Sequence, residues 1–181
     1  MISYEVMVDW DATQWSDTPT FAGDDDISDD VAYMDLTRGK EKEEGNAPAS
    51  YLQIKMKAGL QKKYCIYNPA STLHDRLRIW LPVRVRASWT TPAVWKPVFF
   101  GYISSIKINP NPNKQEVILY VTDGLDLLAR QVLKQNDEEK TSMTPGAAIN
   151  LIANAAGWSA SRRTVDTAES ASLSYPETGV Y

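Results

Sequence analysis

VFFGYISSIKINPNPNKQEVILYVT, residues 98–122, sets two apolar runs on either side of a polar, proline-rich centre. Its centre, Asn109-Pro110-Asn111-Pro112-Asn113-Lys114, is a turn, because proline fixes φ and asparagine tolerates turn geometries. The apolar runs on either side then read as two arms of an antiparallel β-hairpin. Gly101 interrupts the first arm and predicts a bulge or kink there. In the second arm Val117, Leu119 and Val121 form one face, with Ile118 and Tyr120 on the reverse. Apolar residues on both faces predict a strand covered on both sides.

Working outward, the two-residue period of half-buried strands recurs. Residues 2–8 place Ile2, Tyr4, Val6 and Val8 on one side. Residues 51–57 set Leu52, Ile54 and Met56 against Gln53, Lys55 and Lys57. From Val83 to Trp89 the apolar set is Val83, Val85, Ala87 and Trp89, opposed by Arg84, Arg86 and Ser88. About six such strands predict a mainly β chain, an antiparallel barrel or sandwich.

Two polar stretches break the alternation. Residues 9–30 carry Asp9, Asp11, Asp17, Asp24, Asp25, Asp26, Asp29 and Asp30, and residues 38–49 are a charged loop. Both read as solvated surface loops. After residue 122 the period becomes helical. Asp123 caps a short helix through Leu125, Leu127, Leu128 and Val132, and residues 134–142 read as a linker. A second helix follows, with Thr144 as cap, Pro145 in its first turn and Gly157 after its end. Its apolar face is Ala148, Leu151, Ile152 and Ala155. The organisation expected is a β domain over 1–133, the linker, and a helix-first α+β unit over 143–181 that is incomplete at Tyr181.

The net charge of −4 argues against a nucleic-acid binder and against an electrostatic membrane anchor. No apolar run is long enough to cross a bilayer. Cys65 is the single cysteine and, with apolar neighbours, reads as a buried thiol. His74 is the single histidine, and the adjacent Asp75 gives it no nucleophile to activate. Glycine-rich phosphate loops and His-x-x-His spacings are absent from the sequence. Asp9 and Asp11 with Asp24–Asp26 would supply oxygen ligands for Ca²⁺, but the glycine and closing glutamate of an EF-hand are missing. No enzyme, metal site or cofactor is expected.

Two features point to binding. Arg76, Arg78, Arg84 and Arg86 concentrate positive charge mid-chain while the acidic loops lie elsewhere, a segregation suited to docking one subunit on the next. The plainer reading is the polar face of a strand. Trp80, Trp89 and Trp95 are either core, or interface anchors, or stacking platforms for a sugar.

In order along the chain stand Val8-Asp-Trp-Asp, an acidic loop, Asp30-Val31, Arg38-Gly39, Ala47-Pro-Ala-Ser-Tyr-Leu-Gln-Ile-Lys-Met, Pro82-Val-Arg-Val-Arg-Ala, Val98-Phe-Phe-Gly-Tyr-Ile and Val121-Thr-Asp-Gly-Leu-Asp-Leu-Leu-Ala. A helix ending in Ala156-Gly157-Trp158 follows. This succession resembles the N-terminal region of baseplate-hub and tail-tip proteins of long-tailed bacteriophages, over nearly the whole chain. The resemblance implies that 1–133 is a tail-tube-like β-barrel, followed by the start of a hub domain. It implies a structural role in a ring, a homotrimer, that closes the tail tube and joins it to spike or fibres. The implied partners are other copies of the chain and tail-tube, distal-tail, fibre or spike proteins, in a virion tail assembled in the host cytoplasm. The subunit contacts expected are Arg84 and Arg86, Lys40 and Glu43 in the 38–49 loop, and Asn111 and Asn113 in the hairpin. The alternative is a β-sandwich module that binds a carbohydrate or surface ligand through exposed tryptophans.

Overall fold

The computed structural model describes residues 2–16, 18–38, 49–109, 116–126 and 140–155, together with 160, 165 and 173–175. The chain divides into two compact units, Met1–Asp126 and Leu127–Tyr181. The first unit holds one six-stranded antiparallel sheet. Its strands are β1 (Ser3–Val8), β2 (Val31–Thr37), β3 (Tyr51–Met56), β4 (Pro82–Ser88), β5 (Lys96–Asn109) and β6 (Glu116–Thr122). They stand in the order β1-β4-β5-β6-β3-β2, so β1 and β2 are the two ends of a sheet curled into a half-barrel. The mainly antiparallel β architecture is the one the alternation predicts.

The register shows why each strand lies where it does. Val6 opposes Val85 and Val8 opposes Val83; across the other side Leu52 opposes Val121 and Ile54 opposes Leu119. One face thus gathers the β-branched and aliphatic residues, and all of these are buried in one core cluster. Burying such a face is the main favourable contribution to the fold. The parity of Ile2 and Tyr4 matches that of Val6 and Val8, yet both are exposed, because the core stops short of that end of β1.

The hairpin is present, with β5 and β6 paired out to Asn109 opposite Glu116; its turn lies outside the described residues. Gly101 is not the bulge. Val98 is the extra residue between the Val85–Phe99 and Arg86–Pro97 pairs, and Ser104 the extra one between Ile103–Val121 and Ser105–Tyr120. Gly101 serves a close approach instead. A Cβ there would meet the Thr122 carbonyl oxygen at 2.3 Å and the Phe99 ring at 2.8 Å, so only glycine fits. On β6 the reverse face is covered only in part, with Tyr120 half-buried. Ile118 is buried between Lys55 and Lys107, and Lys55 bridges Glu116 at 2.6 Å.

The acidic stretch is not a solvated loop. Trp10, Ala12 and Ile27 belong to the core cluster beside Tyr64, Leu73, Leu77 and Leu81, so segments 9–30 and 57–81 both pack on the sheet's apolar face. Trp10 tilts against Tyr64 with ring centroids 6.2 Å apart. Asp9 and Asp25 are only 5% and 3% exposed. Each satisfies backbone that would otherwise be stranded. Asp9 accepts from the Ala12 and Thr20 amides at 2.9 and 2.7 Å, and Asp25 accepts from the Ala22 and Trp10 amides at 2.8 and 3.3 Å. A segment whose only regular structure is two short 3-10 turns, Gly23–Asp25 and Ser28–Asp30, is buried because its carboxylates serve backbone that no strand ladder does.

Asp123 accepts from the Leu125 amide at 3.0 Å, and residues 124–126 are helical; the rest of the predicted helix, like the 38–49 loop from Gly39 to Pro48, lies outside the described residues. In the second unit β7 (Lys140–Met143) pairs with β8 (Leu173–Tyr175), and α1 spans Pro145–Ala155. A strand therefore stands just ahead of the helix, across the end of the expected linker. The Ala147 amide donates to Thr144 Oγ1 at 3.3 Å, the cap read from the sequence. Of the expected apolar face only Ala148 is buried. Leu151 and Ile152 are 37% and 41% exposed, while the buried residues are Gly146, Ala148 and Ala153. Small side chains are shielded by thin cover that leaves longer ones projecting. Among the described residues no helix is long and apolar enough to cross a membrane.

Candidate functional site

Arg84 and Arg86 sit on the face of β4 opposite the core and meet Glu5 of β1. Arg86 donates to Glu5 twice, at 2.6 and 2.7 Å, and Arg84 reaches the same carboxylate at 3.5 Å. Arg84 also lies against Met7 Sδ at 2.9 Å and its guanidinium is 4.3 Å from the centre of the Phe21 ring. Arg86 faces Trp95 at 5.7 Å. Burial and the neighbouring Arg86 push the Arg84 guanidinium below its usual range, and the Glu5 hydrogen bonds raise that of Arg86. The pair is thus the cross-strand polar ladder of β1 and β4. Arg84 Nε is buried without a partner among the described residues. Lys40, Glu43, Asn111 and Asn113 lie outside the described residues.

The rest of the basic cluster disperses. Arg76 donates to Asp11 at 2.6 Å and to Asp24 at 3.3 Å, tying the acidic segment to the 57–81 segment. Its guanidinium is raised: burial works against the charge, and the Asp11 and Asp24 hydrogen bonds outweigh it. Arg78 is exposed.

The three tryptophans do not form one platform. Trp80 precedes β4 and Trp89 follows it, so seven strand residues, about 20 Å, separate them. Trp80 stacks on Trp15 with centroids 4.2 Å apart and planes 19° apart. Both hold left-handed backbone, φ 67° and 60°, and the Trp15 amide donates to the Trp80 carbonyl at 2.9 Å. Trp89 is 62% exposed and Trp95 half-buried.

The residues of ordinary chemistry are scattered. His74 Nδ1 contacts Asp75 at 2.9 Å on the surface. Cys65 is half-buried, not enclosed as its neighbours suggested, because Ile66 and Tyr67 beside it turn outward. Among the described residues no group of three or more histidines, cysteines or carboxylates is placed to hold a metal ion.

One concave feature was not legible in the sequence. A cleft of about 480 Å³ opens between the two ends of the sheet. Tyr4 and Val6 line it from β1, Val31, Met34 and Leu36 from β2, and Phe99 from β5. It exists because the half-barrel does not close. Nothing in the sequence signals that no strand among the described residues stands opposite Met34 and Leu36.

No protein-family model matches the chain, and no curated protein is significantly similar to it.

Proposed function

We propose that this chain is a structural building block of a phage-type tail tip or baseplate hub, a ring of copies that closes the tail tube and connects it to spike or fibres. The observation that carries the reading is the ordered set of motifs between Val8 and Ala129, several of which fall on neighbouring strands of one curled sheet. Tyr51–Met56 is β3, Pro82–Ser88 is β4, and the Val98 and Val121 motifs lie on β5 and the end of β6. A half-barrel presents loops at its ends and strand edges at its sides, and such surfaces suit repeated contacts between identical subunits. The role is mechanical rather than catalytic, and the site of action is the virion tail, assembled in the host cytoplasm.

Subunit contacts at Lys40, Glu43, Asn111 and Asn113 belong to this proposal. Arg84 and Arg86 are weaker probes of it, since reversing their charge also confronts Glu5 with like charge across β1 and β4. The test is to tag the chain in the cell that produces it and identify what co-sediments. Co-sedimentation with tube, tape-measure and fibre proteins in a large particle is expected. A small fraction free of such proteins would sink the tail reading. It would favour the surface-binding module, which the exposure of Trp89 supports and which ligand-dependent quenching of that indole would reveal.

A further inference from the structure

The two ends of the sheet are treated differently. At β1, the Ile27 amide donates to the Val6 carbonyl at 2.9 Å and the Val6 amide donates to Ser28 Oγ at 2.8 Å, so residues 26–28 strap the middle of that edge. At β2 no strand or loop among the described residues takes the outward amides and carbonyls. Guards of an exposed edge are few: Val31–Thr37 contains no proline and no lysine, and carries only Asp35 and the bulge at Ala32. Its inward residues Val31, Met34 and Leu36 form one wall of the apolar cleft. A free row of backbone donors and acceptors beside an apolar wall is complementary to another β-strand and to little else.

The geometry points to a second copy of this chain as that strand: we propose that β2 pairs antiparallel with β2 of another molecule across a two-fold axis. Charge selects the occupant. Asp29 stands just before β2 and Arg38 just after it, and both are exposed. Antiparallel self-pairing brings the Arg38 end of each strand to the Asp29 end of the other, so the complementary contact is made twice. Parallel pairing would set like charges together. The register with Met34 opposite its own symmetry mate also fits the side chains. Ala32 is the extra residue in β2, so stepping over it places Leu36 opposite Val31, both on the cleft side. Asp35 then lies opposite Tyr33 and not opposite a second Asp35. The contact is isologous and does not depend on the tail reading, whose ring contacts are head-to-tail.

Sedimentation of the full chain over a dilution series tests it. The wild-type protein is expected to be a dimer that dissociates on dilution. Arg38→Glu alone and Asp29→Lys alone should each raise the dissociation constant about tenfold or more, and the double swap should restore it. Hydrogen exchange supplies a second readout that needs no variant: amides 31–37 should slow as the wild-type protein is concentrated. A monomer at every concentration overturns the proposal. So does an assembly indifferent to both single swaps, or β2 exchange independent of concentration. A swap-sensitive dimer that never co-sediments with tail proteins would leave this contact standing and remove the tail role. A swap-indifferent trimer found in tail particles would do the reverse.

Discussion

The six-stranded sheet and the segment from Asp9 to Asp30 both contribute to one core, yet they bury their backbone by opposite means. Between paired strands of the sheet, amides find carbonyls on the next strand, and side chains are left to pack, as Val85 does between Val6 and Phe99. In the segment there is no ladder, and buried carboxylates take its place: Asp9 serves Ala12 and Thr20, Asp25 serves Ala22 and Trp10. An acidic run is therefore compatible with a buried role when its carboxylates serve backbone amides that no strand reaches. Charge density alone does not say which side of the surface a loop occupies.

Substitutions that separate the two means should rank in a definite order. Trp10→Ala removes the segment's largest core side chain and is expected to cost about 3–5 kcal/mol by urea denaturation. Trp89→Ala, on the exposed end of the sheet, should stay within about 0.5 kcal/mol. Equal losses would show that the segment adds nothing to the core. Asp25→Ala and Asp9→Ala each strand two backbone amides and should cost about 1–3 kcal/mol apiece. Neutral outcomes in both would mean that water serves those amides as well as the carboxylates do. Glu5→Ala breaks the double hydrogen bond from Arg86 and should cost about 1.5–3 kcal/mol, with the strand pairing of β1 otherwise retained.

Acid should sharpen the contrast within the segment itself. Burial alone would raise the Asp30 carboxyl, but hydrogen bonds from Lys63 and from the Tyr64 hydroxyl at 2.6 Å outweigh it, and its folded-state value lies below the ordinary one. Its contribution is therefore full above about pH 4 and is lost as pH falls through the lowered value. Asp25 is shifted the other way, chiefly by burial and against the two amide bonds. Its contribution is full below about pH 4 and is lost as pH rises through the raised value. Stability measured against pH should thus be less acid-sensitive in Asp30→Asn and more acid-sensitive in Asp25→Asn. Parallel curves for the two variants would contradict the opposed environments. A small effect is also expected of Lys55→Ala, at most about 1 kcal/mol, because its bridge to Glu116 is partly exposed to solvent and screened.

The strands were legible because a two-residue period reports directly on which side of a sheet a residue faces. Leu52, Ile54 and Met56 are buried as their spacing requires. Coverage is a different quantity, fixed by elements distant in sequence. Hence Tyr4 shares parity with Val6 and is exposed, and of the face expected on α1 only Ala148 is shielded. Gly101 was visible as an exception but not as a contact, since the Thr122 carbonyl that excludes a Cβ arrives from β6. Of the sites, the arginines of β4 were visible as a cluster, while their partner Glu5 is paired with them only by the β1–β4 register. The open edge at β2 had no local signature, since an edge is defined by the absence of a neighbour.

The stacked pair of Trp15 and Trp80 has a further consequence. Two indoles 4.2 Å apart and nearly parallel share their electronic transitions, so this protein should carry an exciton couplet in its far-ultraviolet circular dichroism. One ring belongs to the acidic segment and the other to the turn that leads into β4, so the couplet reports their docking directly. Detachment of the segment would erase it while leaving the β signal of the sheet, which makes the molecule its own optical gauge of partial unfolding.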